Sequence, residues 1–298
     1  MRRIIYDKTM TLLSFNEDRF VIAVKPEDKC SLIPYINSER TVVLKFVNTR
    51  EPREKTTLDN EDKYCKLIES KNYDLHNNRF GCWFPMHNFS VLGSDIRNNF
   101  PECRIGLYEH VKYEVRYSPY MGIDMEALII SGPRGSCIGC GKRETLGYTM
   151  TAKYTLIFIK HILESLLKLG NITHNDLFLR NILVNPTPDE VKAKTLQTSL
   201  PRIIDFGSAE ESKDIDKNYY GDFHDLFNVC PHGMVDIARI RREYPLDHDA
   251  INNWLFYAVI PEQRDQIMDI LMLLNNLNHT HTISVLLEMV TMKLDSVL

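Results

Sequence analysis

Hydrophobic and β-branched residues come in short runs near the start of the chain, and turn-forming residues separate them. The segments Pro26–Lys29 and Asn37–Arg40 are rich in proline, asparagine, serine and charged residues, as turns between strands are. This pattern predicts an antiparallel meander whose first hairpin turns at Pro26–Cys30. Its three strands would be Phe20–Val24, Ser31–Ile36 and Thr41–Val47.

Helical spacing marks the middle of the chain. A set of leucine and isoleucine residues recurs three or four positions apart, and Gly170 stands where a left-handed C-cap belongs. A long helix is therefore predicted, with an apolar stripe formed by Leu156, Ile159, Leu163, Leu166 and Leu167.

Shorter patterns complete the prediction of an α+β protein. Helical composition is found at Thr57–Ser70, and residues from about Asp222 onward are mainly helical in pattern, whereas Asn72–Glu102 matches no single element. The predicted strands outside the meander are Arg104–Tyr117, Ile182–Asn185 and Arg202–Ile204.

Composition narrows the class of protein. Hydrophobic residues make up 44% of the 298 residues, and the formal net charge of −4 argues against a surface built to neutralise nucleic-acid phosphates. We expect no signal peptide, because Asp7, Lys8, Glu17 and Asp18 follow the N-terminus before any long apolar run. We expect no membrane span, because the most apolar stretch, Tyr154–Leu169, is short and carries charges. The seven scattered cysteines predict reduced thiols in the cytoplasm.

Two short motifs carry the candidate chemistry. The residues His174, Asp176 and Asn181 have the spacing of a kinase catalytic loop, in which the aspartate handles the proton of the substrate hydroxyl and the asparagine binds a metal ion. The sequence Asp205-Phe-Gly supplies a second metal ligand. Each motif is weak by itself, but the two in this order, after a predicted helix and strand respectively, indicate phosphoryl transfer from ATP with Mg²⁺.

These motifs resemble those of the protein kinase superfamily. The catalytic loop, the Asp-Phe-Gly motif and the tyrosine-rich stretch before Asp222 are similar to those of kinases from large DNA viruses. The resemblance implies a bilobal fold, with a small β-rich N-lobe at 1–121 and a mainly helical C-lobe at 122–298. It also implies serine/threonine protein kinase activity on viral or host proteins, in the host cytoplasm and the virion.

The resemblance assigns further residues. Val42-Val-Leu-Lys45 is similar to the strand whose lysine grips the ATP phosphates, and Glu61 is the best candidate for the glutamate that pairs with it, with Glu54 and Glu69 as alternatives. Ser118–Gly122 resembles the hinge that meets the adenine. Within and just beyond it, Tyr120 and Met121 would bind ATP, and Asp124 would reach a ribose hydroxyl.

The sequence departs from the family pattern in the residues that bind the ATP phosphates and in those that control activation by phosphorylation. No glycine precedes Gly81, so the usual glycine-rich loop is absent. Asn175 and Phe178 replace an arginine and a lysine of the usual catalytic loop, and Arg180 would supply the missing cation. Since the segment from Asp205 to Asp222 is short, we expect activity without activation-loop phosphorylation.

Other interpretations stay open at this point. A pseudokinase scaffold would fit the missing glycine loop, and a small-molecule phosphotransferase would fit the catalytic-loop spacing. Cys137 and Cys140 have zinc-knuckle spacing, and Cys82 or Cys103 could complete such a site.

Overall fold

A computed structural model describes residues 4–5, 10–15, 18–24, 41–70, 79–99, 108–129, 146–213, 215–228, 254–277 and 281–297. These residues form an α+β fold, as the sequence predicts. The chain divides into two compact units. The first contains Met1–Leu67, Gly81–Tyr120 and Asp205–Gly207, and the second contains Ile68–Phe80, Met121–Ile204 and Ser208–Leu298.

The first unit is built on a six-stranded antiparallel sheet. Its strands are β1 (Ile4–Ile5), β2 (Met10–Phe15), β3 (Arg19–Val24), β4 (Val42–Asn48), β6 (Phe84–Leu92) and β7 (Lys112–Pro119). Their order in the sheet is β1-β2-β3-β4-β7-β6. The helices are α1 (Pro52–Ser70), whose last three residues belong to the second unit, and α2 (Gly93–Asn99).

The pairing of strand β3 corrects the predicted meander. Strand β3 pairs with β2 on one side and with β4 on the other, so neither of its edges remains for 31–36. The predicted turn at Pro26–Cys30 and the predicted strand Ser31–Ile36 lie outside the described residues. Local alternation could not distinguish these partners, because Met10–Phe15 is as strand-like as 31–36.

The side chains of β4 alternate between two faces of the sheet, and both faces are largely buried. Phe46 stacks on Phe20 of β3 with ring centroids 4.2 Å apart, and both rings are fully buried among apolar neighbours. Burying a ring of this size contributes roughly 1.5–3 kcal/mol. Because successive side chains of a strand point to opposite faces, Lys45 faces away from this cluster.

The second unit contains short strands and most of the helices. A four-stranded sheet has the order β5-β13-β11-β8, and β9 pairs with β12 while β10 pairs with β14. The strands are β5 (Phe80–Gly81, which straddles the division), β8 (Ile123–Asp124), β9 (Thr149–Met150), β10 (Ile172–Thr173), β11 (Ile182–Val184), β12 (Thr195–Leu196), β13 (Arg202–Ile204) and β14 (Glu210–Glu211).

The helices of the second unit include the long one that the spacing predicts. They are α3 (Met125–Leu128), α4 (Ala152–Leu169), α5 (Pro188–Ala193), α6 (Ile215–Phe223), α7 (Trp254–Ala258), α8 (Met268–Asn275) and α9 (Ile283–Val297). Shorter helical turns lie at Leu179–Asn181, Phe206–Ser208, His224–Asn228 and Pro261–Ile267, of which Phe206–Ser208 crosses the division. The helical prediction beyond Asp222 is thus confirmed where residues are described.

Helix α4 begins and ends as its sequence dictates. The Thr151 hydroxyl accepts a hydrogen bond from the Tyr154 backbone N–H, and Gly170 ends the helix with a φ of 65° that favours glycine. The predicted stripe is buried except for Leu167, which is 37% exposed and so does not belong to it. Among the described residues, no helix is long and apolar enough to cross a membrane.

Candidate functional site

The Lys45 side chain meets Glu61 inside the first unit. Lys45 lies on β4 opposite Val21 and Arg116, and its Nζ is 2.7 Å from Oε1 of Glu61 on α1. The two side chains are 3% and 2% exposed, so this is a buried ion pair. The prediction that Glu61, rather than Glu54 or Glu69, meets Lys45 is confirmed.

Burial and neighbouring charge act on Glu61 in opposite directions. Desolvation raises the pKa of Glu61 from its ordinary value of 4.5 to about 8, although the Lys45 ammonium favours the ionised form. The negative charge of Asp205 and its hydrogen bond with Glu61 raise the pKa of Glu61 further. Oδ1 of Asp205 lies 3.8 Å from the same Lys45 Nζ. The Trp83 ring also contacts the ammonium, with 5.5 Å from Nζ to the ring centroid.

The Asp205-Phe-Gly segment is held against helix α1. Asn60 donates from Nδ2 to the Gly207 carbonyl over 3.1 Å. A Cβ on Gly207 would lie 2.3 Å from Cγ2 of Thr57, so a side chain at that position would require Thr57 or the segment to shift. Asp205 has a φ of 69°, a left-handed conformation that persists in a non-glycine residue only where its surroundings enforce it.

The predicted catalytic loop in the second unit is a hydrogen-bonded cluster. Asn181 donates from Nδ2 to the Asp176 backbone carbonyl over 2.7 Å and to its Oδ2 over 3.0 Å. The His174 ring accepts the Asp176 backbone N–H at Nδ1, so Nε2 carries the hydrogen that it donates to the Ile204 carbonyl over 2.9 Å. One histidine thus contacts both the loop and the residue that precedes Asp205.

Arg180 contacts the same carboxylate from the solvent side. Its guanidinium donates to Asp176 Oδ1 over 2.6 Å and lies over the Phe178 ring, 4.5 Å from the centroid. The Arg180 side chain is half exposed, so this pair by itself contributes little to stability. The arrangement fixes Asp176 from both sides, with Asn181 on Oδ2 and Arg180 on Oδ1.

Asp222 anchors the backbone of the loop. Its buried carboxylate accepts the backbone N–H groups of His174 and Asn175, each over 2.9 Å. Burial raises the pKa of Asp222, while these hydrogen bonds and the neighbouring His174 oppose the rise. Asn175 has a φ of 59°, and the Asp222 contacts hold it there.

The predicted hinge residues have structural partners of their own. The Tyr120 backbone N–H donates to the Thr41 carbonyl, and Asp124 caps helix α3 by accepting the Ala127 N–H over 2.8 Å. Gly122 has a φ of 122°, and a Cβ there would lie 2.2 Å from the Val184 carbonyl oxygen, so only glycine fits. Adenine and ribose contacts by Tyr120, Met121 and Asp124 remain predictions.

The predicted Mg²⁺ ligands have suitable chemistry. The Asp205 carboxylate and the Asn181 amide oxygen are hard oxygen ligands of the kind that Mg²⁺ takes, and Asn181 uses its amide nitrogen in its two hydrogen bonds to Asp176. Within the described residues, no group of three His, Cys, Asp or Glu side chains could hold a metal ion. Cys103, Cys137 and Cys140 lie outside those residues.

The cysteine prediction is wrong in one respect. Cys65 and Cys82 form a disulfide, so these two thiols are not reduced and Cys82 cannot complete a zinc site. The sequence contains no local sign of this pairing, because the two cysteines lie on different elements and meet only when α1 packs beside the strand region.

The comparisons with known proteins add no relationship. No protein-family model matches the sequence, and a search of curated proteins finds no match.

Other contacts of the candidate site were not predicted from the sequence. Trp83 contacts Lys45, and Asn60 contacts the Asp205-Phe-Gly segment. The sequence offers one indication for Asn60, which is its position next to the predicted site residue Glu61.

Proposed function

We propose that this chain is an ATP-dependent serine/threonine protein kinase of the protein kinase superfamily, in its large DNA-virus branch. In this proposal the two compact units are the N-lobe and C-lobe of a kinase fold. ATP and Mg²⁺ are the co-substrate and metal, and viral or host proteins in the host cytoplasm or the virion are the substrates.

The observation that carries the proposal is the environment of Lys45. A buried ammonium with Glu61 at 2.7 Å and Asp205 at 3.8 Å brings together three residues from separate elements, each selected from its motif. A lysine needed only for stability could be replaced by an apolar residue, since burying a charged pair is costly. A cation held in place by carboxylates is suited to binding the ATP phosphates.

The catalytic loop supports a role in handling the substrate hydroxyl. Asp176 is oriented by Asn181 and Arg180, and it would accept the proton from a serine or threonine hydroxyl as that oxygen attacks the γ-phosphorus of ATP. The Arg180 guanidinium would stabilise the negative charge on the transferring phosphoryl group while it keeps its hydrogen bond to Asp176. Asn181 and Asp205 would hold Mg²⁺, which neutralises phosphate charge when bound.

The segment after Asp205 supports activity without prior phosphorylation. Its strand β14 pairs with β10, matching Glu211 to Ile172 and Glu210 to Thr173, and Ser212 donates to the Asn171 carbonyl. Backbone hydrogen bonds therefore order the start of this segment next to the catalytic loop. In many kinases a phosphate bound by an arginine does this work, and Asn175 stands at that arginine position.

Transfer of radiolabelled γ-phosphate tests the proposal. The full chain is incubated with Mg²⁺ and labelled ATP, and casein, histone and a panel of small hydroxyl compounds are offered as acceptors. We expect label on protein serine or threonine, its loss in Asp176→Asn, and its retention in Asp265→Asn, a matched change at an exposed aspartate. Label on small molecules alone would identify a small-molecule phosphotransferase.

The same experiment addresses the pseudokinase interpretation. The usual glycine-rich loop is absent from the sequence, and Asn175 and Phe178 depart from the usual catalytic loop, as a pseudokinase scaffold would allow. ATP binding without transfer of phosphate to any acceptor would favour a scaffold over an enzyme.

A further inference from the structure

The Cys65–Cys82 bridge lies beside two of the residues that contact Lys45, Glu61 and Trp83. Cys65 follows Glu61 by one helical turn, so the two side chains share a face of α1. Cys82 directly precedes Trp83, whose ring contacts the Lys45 ammonium. The bridge thus links the segment that carries Glu61 to the segment that carries Trp83.

The bridge is one of several anchors between α1 and the sheet. Arg116 of β7 donates to both carboxylate oxygens of Asp62, over 2.9 and 3.0 Å, and Lys45 pairs with Glu61. These two ion pairs and the disulfide lie within two turns of the helix. Of the three anchors, only the disulfide can be opened by a reductant without changing a charge.

We propose that the Cys65–Cys82 disulfide is a redox-controlled positioning element that holds α1 where Glu61 meets Lys45. The bridge closes a segment with a sequence separation of 17 residues, so it removes conformational freedom from the chain between α1 and the strand region. When it opens, α1 keeps its two ion pairs but loses its covalent link, and Glu61 separates from Lys45 more often. This inference rests on the proposed kinase function for its effect on activity.

The chemistry is a reversible thiol–disulfide exchange. A thiolate of a dithiol reductant attacks one sulfur, the other sulfur leaves as a thiolate, and the second thiol of the reductant resolves the mixed disulfide. Two electrons and two protons pass to the protein, which gains two thiols while the reductant becomes a disulfide. A low-molecular-weight disulfide oxidant reverses the reaction. Both cysteines are buried, at 8% and 4% exposure, so exchange requires α1 to open locally.

The first test asks whether the bridge forms in solution. Protein prepared without reductant is alkylated and digested with trypsin, and mass spectrometry should detect Tyr64–Lys66 linked to Phe80–Arg97. Recovery of both peptides only in the singly alkylated form would overturn the proposal.

The second test measures the position of α1 without using enzyme activity. Treating the full chain with a dithiol should speed amide hydrogen exchange in Pro52–Ser70 by about tenfold or more. It should also raise the labelling of Lys45 by an amine-reactive reagent. Exchange in Ala152–Leu169 of the second unit serves as the internal control and should not change. Unchanged exchange in α1 and unchanged Lys45 labelling would overturn the proposal.

Variants then assign the effect to these two cysteines. The double variant Cys65→Ser, Cys82→Ser should show the amide exchange and Lys45 labelling of the reduced protein, and the reductant should not change either. A variant with serine at the other five cysteines should respond to the reductant as the natural sequence does. Comparing the oxidised and reduced natural sequence remains decisive if either variant does not fold.

Activity is the last readout. Reduction should lower kcat for phosphoryl transfer by about tenfold, and reoxidation should restore it. If the exchange and labelling change but no state transfers phosphate, the proposed kinase function fails while the positioning role stands. Equal kcat in both redox states, with α1 loosened, would overturn the control of activity.

Discussion

Removing the Glu61 carboxylate should destabilise the first unit strongly. In Glu61→Ala, the buried Lys45 ammonium loses the oxygen at 2.7 Å and keeps Asp205 at 3.8 Å. Breaking a buried pair by deleting one partner typically costs about 3–5 kcal/mol. Because Asp205 still offsets part of the charge, we expect a loss near the lower end, about 3 kcal/mol in the free energy of unfolding.

The assay isolates the first unit through its tryptophan. The chain has two tryptophans, Trp83 in the first unit and Trp254 in the second, so a Trp254→Phe background leaves Trp83 fluorescence as the probe. Urea unfolding of the parent and of each variant is compared at one pH, because the contribution of Glu61 to the free energy of unfolding depends on pH. Glu69→Ala, at an exposed position of the same helix, is the control and should stay within about 0.5 kcal/mol of the parent.

A double variant separates the charge from the packing. Lys45→Met combined with Glu61→Leu replaces the pair by apolar side chains and should be less destabilised than Glu61→Ala alone, because no buried charge is left unpaired. A loss below about 0.5 kcal/mol in Glu61→Ala would refute the reasoning, since it would mean that Lys45 does not depend on this carboxylate.

Four further predictions concern the catalytic groups and pH. Asp176→Asn should lower kcat by about 10²–10⁴-fold and leave ATP binding largely intact, and turnover within tenfold of the parent would reject its role. Asp205→Asn should weaken Mg²⁺-dependent ATP binding measured by calorimetry, whereas an unchanged Mg²⁺ dependence would contradict the metal assignment. Arg180→Ala should lower kcat by roughly 10²-fold with little change in the ATP KM, and adding Phe178→Lys should recover part of the rate; a normal kcat in Arg180→Ala means the site works without that cation. Because the folded-state pKa of Glu61 is raised from 4.5 to about 8, its contribution to stability should fall as pH rises through that window, and the difference in unfolding free energy between the natural sequence and Glu61→Gln should show this decline.

The local order of elements and motifs could be predicted from the sequence. Helix α4, its glycine C-cap and the strands around the catalytic loop follow from residue spacing, because periodicity and capping are encoded within a few residues. The pairing of Lys45 with Glu61 was expected through the resemblance to the protein kinase superfamily, in which a strand lysine pairs with a glutamate on the next helix. Asp176 and Asn181 were selected from the spacing of their motif alone, and the structure places their side chains in hydrogen-bond contact.

Tertiary structure decided what depends on distant partners. The sequence alone did not distinguish Met10–Phe15 from 31–36 as the neighbour of β3, because strand pairing is set by packing across the whole sheet. The Cys65–Cys82 bridge and the Asn60 contact with Gly207 likewise join segments whose proximity depends on how α1 packs. Candidate site residues can thus be selected from local pattern, whereas the contacts of Lys45 with Glu61 and of Asn60 with Gly207 join distant segments and depend on long-range packing, which local pattern does not encode.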